Sequence, residues 1–252
     1  MNQEYPCNKI ACPSGATLDY RDQRIVDMML ECGTIKFMDD PFTLQGGGKS
    51  HFYFSGREDV TDHPKLLAEL GRKVRNAVAE HVILGDGQPC LIAIPTAATA
   101  IAVAASLCSV EHHTCAISVP FCDEHHHTRY PLLARVMREG RKEHGANRGW
   151  VNGKPSPNHT YWLFDNVVTE GGSIFDALSK LDQDGYQTAN MPILVVVDRE
   201  RGGFNTLRAQ GFERLYSCYK LRDIVFALVE HRLWPRDYLK ILKNELQLPV
   251  TV

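Results

Sequence analysis

Three short runs constrain this chain more than any other feature: "CLIAI" at 90–94, "YWLFD" at 161–165 and "ILVVVD" at 193–198. Runs that are apolar at nearly every position read as strands covered on both faces. "CAISV" at 115–119 is expected to be a further strand of the same kind. The segments around them have helical spacing. "PKLLAELGRKVRNAVAEHVI" starts at Pro64 and sets Leu66, Leu67, Leu70, Val74 and Val78 on one face. "TAIAVAASLCSV" is alanine-rich, and "GGSIFDALSKLDQDG" carries Ile174, Ala177, Leu178 and Leu181 before a stop at Gly185. Strands that alternate with helices need crossover connections, so the expected fold is α/β, a central, mostly parallel sheet flanked by helices.

The flanking segments are less regular. Residues 1–20 read as an irregular leader with Pro6, Pro13 and Gly15. "RDQRIVDMMLECG" has the spacing of a short amphipathic helix ending at Gly33, and "DDPFTLQGGGKSHFYFSGRE" reads as strand, glycine turn, strand. Residues 135–160 are basic, glycine-rich and aperiodic, as a functional lid or an insertion would be. "LRDIVFALVEHRL" and "WPRDYLKILKNELQL" read as two amphipathic helices broken at Pro235, packed beside the sheet or capping its edge. At 252 residues the chain is near the upper size of one hydrophobic core, so 21–252 is read as a single domain.

Composition narrows the partners. A net charge of -2 with 23% charged residues gives no global attraction to nucleic acid or membrane, so an anionic ligand must meet a local positive site. No stretch has the length of a membrane span and the first thirty residues carry no targeting pattern, which makes the cytoplasm the default compartment. Eight scattered cysteines are expected to be reduced thiols.

The chemistry concentrates where "YWLFD" runs into "NVVTEGGS". In an open parallel sheet, ligands bind beyond the carboxyl ends of the strands. Backbone N–H groups from Thr169 to Ser173 would open a helix there and hold a phosphate, with Gly171 and Gly172 permitting close approach. An ordinary strand-to-helix turn capped by Ser173 is the bland alternative. No Lys follows the glycines and no GxGxxG spacing is present, so neither the nucleotide P-loop nor the dinucleotide fingerprint applies.

"LFDNVVTEGGS" resembles the phosphoribosyl-diphosphate loop of type I phosphoribosyltransferases. "FTLQGGGKSHFYFSGREDVTDHP", "REGRKEHG" and "VVVDRERGG", in that order, resemble the blocks of orotate phosphoribosyltransferases. The resemblance spans about residues 22–228. It implies the type I phosphoribosyltransferase fold, with a small N-terminal hood (about 21–60), a core (about 64–220), a long flexible catalytic loop and C-terminal helices (about 221–246). It also implies the reaction of orotate with 5-phosphoribosyl 1-diphosphate, giving orotidine 5'-monophosphate and diphosphate in pyrimidine biosynthesis. Mg2+ would ride on the diphosphate, and a homodimer would exchange loops across its interface.

By that resemblance Arg138, Lys142 and His144 match the catalytic loop, and Asp165 matches the acid that meets the ribose hydroxyls. Thr169, Glu170, Gly171, Gly172 and Ser173 match the 5'-phosphate cradle, Arg199 the arginine that holds orotate, and Tyr53 and Phe54 the aromatic pair beside the base. The residue types suit the reaction. Diphosphate leaving C1 builds negative charge that cations must meet in a site closed to water, and His144 would donate to the departing oxygen.

Several positions depart from the family. Glu139, Ala97 and Gln45 stand where lysines are common, with Lys49, Arg141 or Arg148 as candidate replacements; Asn166 replaces the second acid, and Glu170 adds a negative side chain to the cradle. A non-catalytic or base-altered homologue that binds a ligand or a partner is therefore the alternative function. "CSVEHHTC" and "CDEHHH", with Cys108, His112, His113, Cys115, Cys122 and His125 to His127, are rich in metal-ligand types but follow no known ligand spacing. They are expected to be buried cysteines and an exposed histidine-rich turn.

Overall fold

The computed structural model describes residues 9–44, 47–56, 58–110, 117–121, 123–140 and 149–247. A two-residue pair, β1 (Ile10–Ala11) and β2 (Thr17–Leu18), leads into α1 (Tyr20–Glu31) and an antiparallel hairpin of β3 (Ile35–Thr43) and β4 (Lys49–Phe54). Next come α2 (Glu58–Thr61), α3 (Pro64–His81), β5 (Gln88–Ala93) and α4 (Ala97–Cys108). A second hairpin, β6 (Ile117–Phe121) and β7 (Asp123–Tyr130), precedes β8 (Leu133–Val136) and β9 (His159–Val168). The chain continues through α5 (Gly172–Gln183), β10 (Ile193–Asp198), α6 (Gly203–Ala209), β11 (Leu215–Lys220), α7 (Leu221–Glu230) and α8 (Asp237–Leu246).

The central sheet is parallel throughout, in the order β11-β10-β9-β5-β8. Alternate residues of its strands feed two separate cores. Leu91, Ala93, Trp162, Phe164, Leu194 and Val196 face one side, toward α1, α3, α4 and α7. Cys90, Ile92, Leu163, Ile193 and Val195 face the other, toward α5 and α6. Burial on both faces is what makes these strands apolar at nearly every position.

Local chemistry sets the helix limits. The Asp19 carboxylate accepts from the Asp22 N–H at 2.9 Å and caps α1, and Gly33, with φ of +72°, turns the chain out of it. Gly71 lets α3 and α4 approach closely, since a Cβ there would lie 2.8 Å from the Ala104 carbonyl carbon.

Several elements differ from the sequence expectations. "CAISV" supplies a strand outside the central sheet, because among the described residues β6 pairs only with β7, in an antiparallel hairpin. The histidine-rich stretch is likewise strand backbone in β7 and not a turn. The edge strand β8 and the pair α6 and β11 have no counterpart in the sequence reading; β8 has four residues, too few to show a period. The described part of the leader is ordered onto the domain: Cys12 and Leu18 enter the core, and the Ser14 hydroxyl donates to Asp223 of α7 at 2.5 Å.

The hood hairpin is held from behind by the C-terminal helix. Tyr238 of α8 stacks on Phe37 with ring centroids 3.7 Å apart. Glu245 accepts from the His51 N–H at 2.8 Å and from Arg201 Nη2 at 2.9 Å, joining hood, α8 and the segment after β10. Glu245→Gln removes the charge that pairs with Arg201, and a loss of about 1–3 kcal/mol is expected in urea unfolding.

Cys12, Cys32, Cys90, Cys108 and Cys218 are free thiols. No helix among the described residues is long and apolar enough to cross a membrane.

Candidate active site

The sheet order creates one crevice. From β5 the chain moves outward to β8, whereas from β9 it moves the other way through β10 to β11, so connections diverge between β5 and β9. Ligands bind at such switch points, beyond the carboxyl ends of the strands. A cavity of about 640 Å³ lies there, bounded by residues 94–97 after β5, by Asp165, Asn166 and Val167 at the end of β9 with Thr169 to Ser173 beyond it, and by Tyr53, Phe54, Ser55 and Gly56 of the hood.

Two helices start at this cavity, α4 at Ala97 and α5 at Gly172. The first N–H groups of a helix lack intrahelical acceptors and carry the positive end of the dipole. Two such ends facing one cavity suit a ligand with two separated phosphate groups. Gly171 makes the tight entry to α5, with φ of +95°. Gly203 opens α6 directly behind this turn, its N–H donating to the Thr169 carbonyl at 3.0 Å.

Asp165 lies in the cavity wall and is buried. Its carboxylate accepts from the Asn166 N–H at 2.8 Å and from the Ser173 hydroxyl at 3.0 Å. Burial nevertheless outweighs these bonds and pushes its pKa up to about 6. The half-buried Asn166 packs beneath Gly56, where an added Cβ would lie 2.5 Å from its Nδ2. Glu170 is exposed and lines the cavity.

On the hood side Tyr53 and Phe54 line the cavity. Arg199 is buried behind them, outside the cavity lining, with Nη2 donating to the Phe52 carbonyl at 2.6 Å. Its guanidinium lies 5.6 Å from the Phe42 ring, which meets Tyr53 edge-on. Burial and the neighbouring Arg201 lower its pKa to about 10, which leaves it cationic at neutral pH.

Arg138 stands at the stem of the basic loop. Its N–H donates to the Trp150 carbonyl at 2.8 Å, its side chain reaches the Gly149 carbonyl at 2.5 Å, and Met137 bridges to Val151. Lys142 and His144 lie outside the described residues, as do Gln45, Arg141, Arg148, His112, His113, Cys115 and Cys122. Cys108 is buried on α4. Lys49 is exposed at the start of β4.

Thr96, Ser55, Gly56 and Asp176 line the cavity and were not singled out in the sequence. Asp176 had a readable signal, lying one helical turn after Ser173 on the face that opens on the cradle. Thr96 had none, because its place depends on β5 and β9 pairing.

Among the described residues no three His, Cys, Asp or Glu side chains converge as a metal site. Asp165, Glu170 and Asp176 line the cavity separately. This donor set suits a hard cation bound largely through ligand oxygens and water.

No protein-family model matches the chain. The orotate phosphoribosyltransferase of Pyrococcus furiosus is 30% identical over 204 residues, covering 80% of this chain and 94% of the relative. Among solved structures, the UMP synthase of Leishmania donovani superposes with a TM-score of 0.67 at 18% identity, covering 91% of this chain and 43% of that one. The orotate phosphoribosyltransferase of Mycobacterium tuberculosis H37Rv in complex with 5-phospho-α-D-ribosyl 1-diphosphate gives 0.54 at 18% identity, covering 81% and 99%. These likenesses bear out the α/β phosphoribosyltransferase fold. With its sequence relationship running over nearly the whole length of the Pyrococcus protein, the chain belongs to the orotate phosphoribosyltransferase family.

Proposed function

We propose that the cleft transfers a 5-phosphoribosyl group from 5-phosphoribosyl 1-diphosphate to orotate, giving orotidine 5'-monophosphate and diphosphate in pyrimidine biosynthesis. The observation that carries this reading is the pair of helix N-termini meeting at one cavity beside the buried Asp165, in a chain of this family.

The 5'-phosphate lies on the Thr169 to Ser173 turn, where N–H groups and the dipole of α5 receive it. The diphosphate lies across the cavity against residues 94–97 and the start of α4. Asp165 accepts from the ribose hydroxyls and, when ionised, offsets the cationic character that develops at C1. The bond from C1 to the diphosphate oxygen breaks as a ring nitrogen of orotate, its proton lost to solvent, bonds to C1, with the base beside Tyr53 and Phe54 of the hood and Arg199 behind these aromatics.

Arg138 and Lys142 offset the charge of the departing diphosphate, and His144 donates a proton or hydrogen bond to its oxygen. Asp165 or Asp176 would hold, through water, a magnesium ion carried on the diphosphate, which would supply further neutralisation. The basic loop acts across a homodimer, and the enzyme is cytoplasmic.

The test incubates the protein with orotate, phosphoribosyl diphosphate and magnesium and follows the loss of orotate absorbance. Turnover is expected in the wild type, and its absence with both substrates saturating rules the reading out. Asn166→Asp puts a second carboxylate beside one that already titrates near 6. Its like charge is expected to move the acidic limb of the kcat/KM profile upward by about one pH unit.

A further inference from the structure

We propose that Glu139 makes the diphosphate subsite selective for the metal-complexed form of its ligand, by holding Thr96 and a negative charge at the mouth of that subsite. The inference rests on the reading of residues 94–97 as the diphosphate side of the cleft.

Thr96 is the N-cap residue of α4, yet its side chain does not cap the helix. Its hydroxyl donates instead to Glu139 Oε1 at 3.2 Å. This contact joins the loop after β5 to the loop stem that follows β8, forty-three residues on. Thr96 itself lines the cavity.

A hydroxyl has one proton to donate. While Glu139 accepts it, Thr96 offers a phosphate oxygen only its lone pairs, and the carboxylate adds repulsion. Metal-free diphosphate therefore meets an occupied donor and a like charge. Diphosphate carrying a divalent cation brings positive charge to the same place, so the carboxylate becomes an outer acceptor for metal-bound water. Glu139 is exposed, so its field is partly screened and the expected effect is moderate.

Binding of inorganic diphosphate to the full chain, measured by calorimetry with magnesium and with a chelator, tests this. In the wild type, magnesium is expected to tighten binding at least about tenfold. In Glu139→Gln and Glu139→Ala, metal-free diphosphate should bind about tenfold tighter, and the magnesium complex should change by less than about threefold. Thermal melts of each variant establish that the fold is intact. An unchanged metal dependence in both variants, or weaker binding of both forms, overturns the proposal. A wild type that binds neither form overturns the assignment of residues 94–97 and this inference with it.

Discussion

Asp165→Asn is expected to yield a protein that is more stable without ligand and at least roughly a hundredfold slower in transfer. Both effects have one source. The carboxylate is buried at the end of β9, and its two hydrogen bonds do not compensate for lost hydration, so it titrates near 6. In the unfolded chain it titrates near 3.8. Between these values the folded state holds more protons than the unfolded state, so stability falls as pH rises from about 4 to about 6 and is level above. The whole difference amounts to up to about 3 kcal/mol of strain at neutral pH.

An amide in its place keeps an oxygen for the Asn166 N–H and turns its NH2 toward Ser173, whose oxygen can accept. The variant should therefore melt higher than the wild type at about pH 7.5, with the gap closing toward about pH 4. A gap independent of pH would show that ionisation of Asp165 is not its cause. The activity loss follows because an amide cannot offset positive charge at C1. Here stability and turnover pull on one side chain in opposite directions.

Gly203→Ala is expected to cost about 2–3 kcal/mol and to raise the KM for phosphoribosyl diphosphate about tenfold. A Cβ at this position would lie 2.7 Å from Val168 Cγ2, 2.8 Å from the Thr169 carbonyl oxygen and 3.2 Å from the Glu170 carbonyl carbon. Two of these are backbone atoms of the proposed phosphate turn, so no flexible side chain can yield. Relief requires the turn to move away from α6, which disturbs the N–H groups aimed at the 5'-phosphate. Denaturant melts and initial rates check the two parts. A KM for orotate that rises as much as that for phosphoribosyl diphosphate would place the damage outside the cradle.

Much of the sheet was readable because its strands are buried on both sides and so keep an apolar run that solvent would interrupt. The runs at 90–94, 161–165 and 193–198 became β5, β9 and β10, neighbours in the middle of the sheet. Legibility fell toward its edges. β8 carries Arg135 within four half-buried residues, and β11 buries only Leu215 and Tyr219, with three partly exposed residues between them. "CAISV" was read as a sheet strand because local pattern reports burial and extension but does not name the strand that will pair.

The chain by itself determined the α/β architecture, the strand-to-helix turn around Gly171 and the family resemblance, since each is written in contiguous residues within one or two turns of backbone. Only the tertiary structure decided what depends on distant segments meeting. Divergence of the chain between β5 and β9 sets two helix starts on one cavity. Burial from all sides, not any neighbour in sequence, raises the pKa of Asp165. Arg199 lies behind the hood because a carbonyl from β4 comes within 2.6 Å of it, and Glu139 reaches Thr96 because two adjacent parallel strands end side by side. Periodicity records which faces are dry; the free energy of packing those faces together selects the partners.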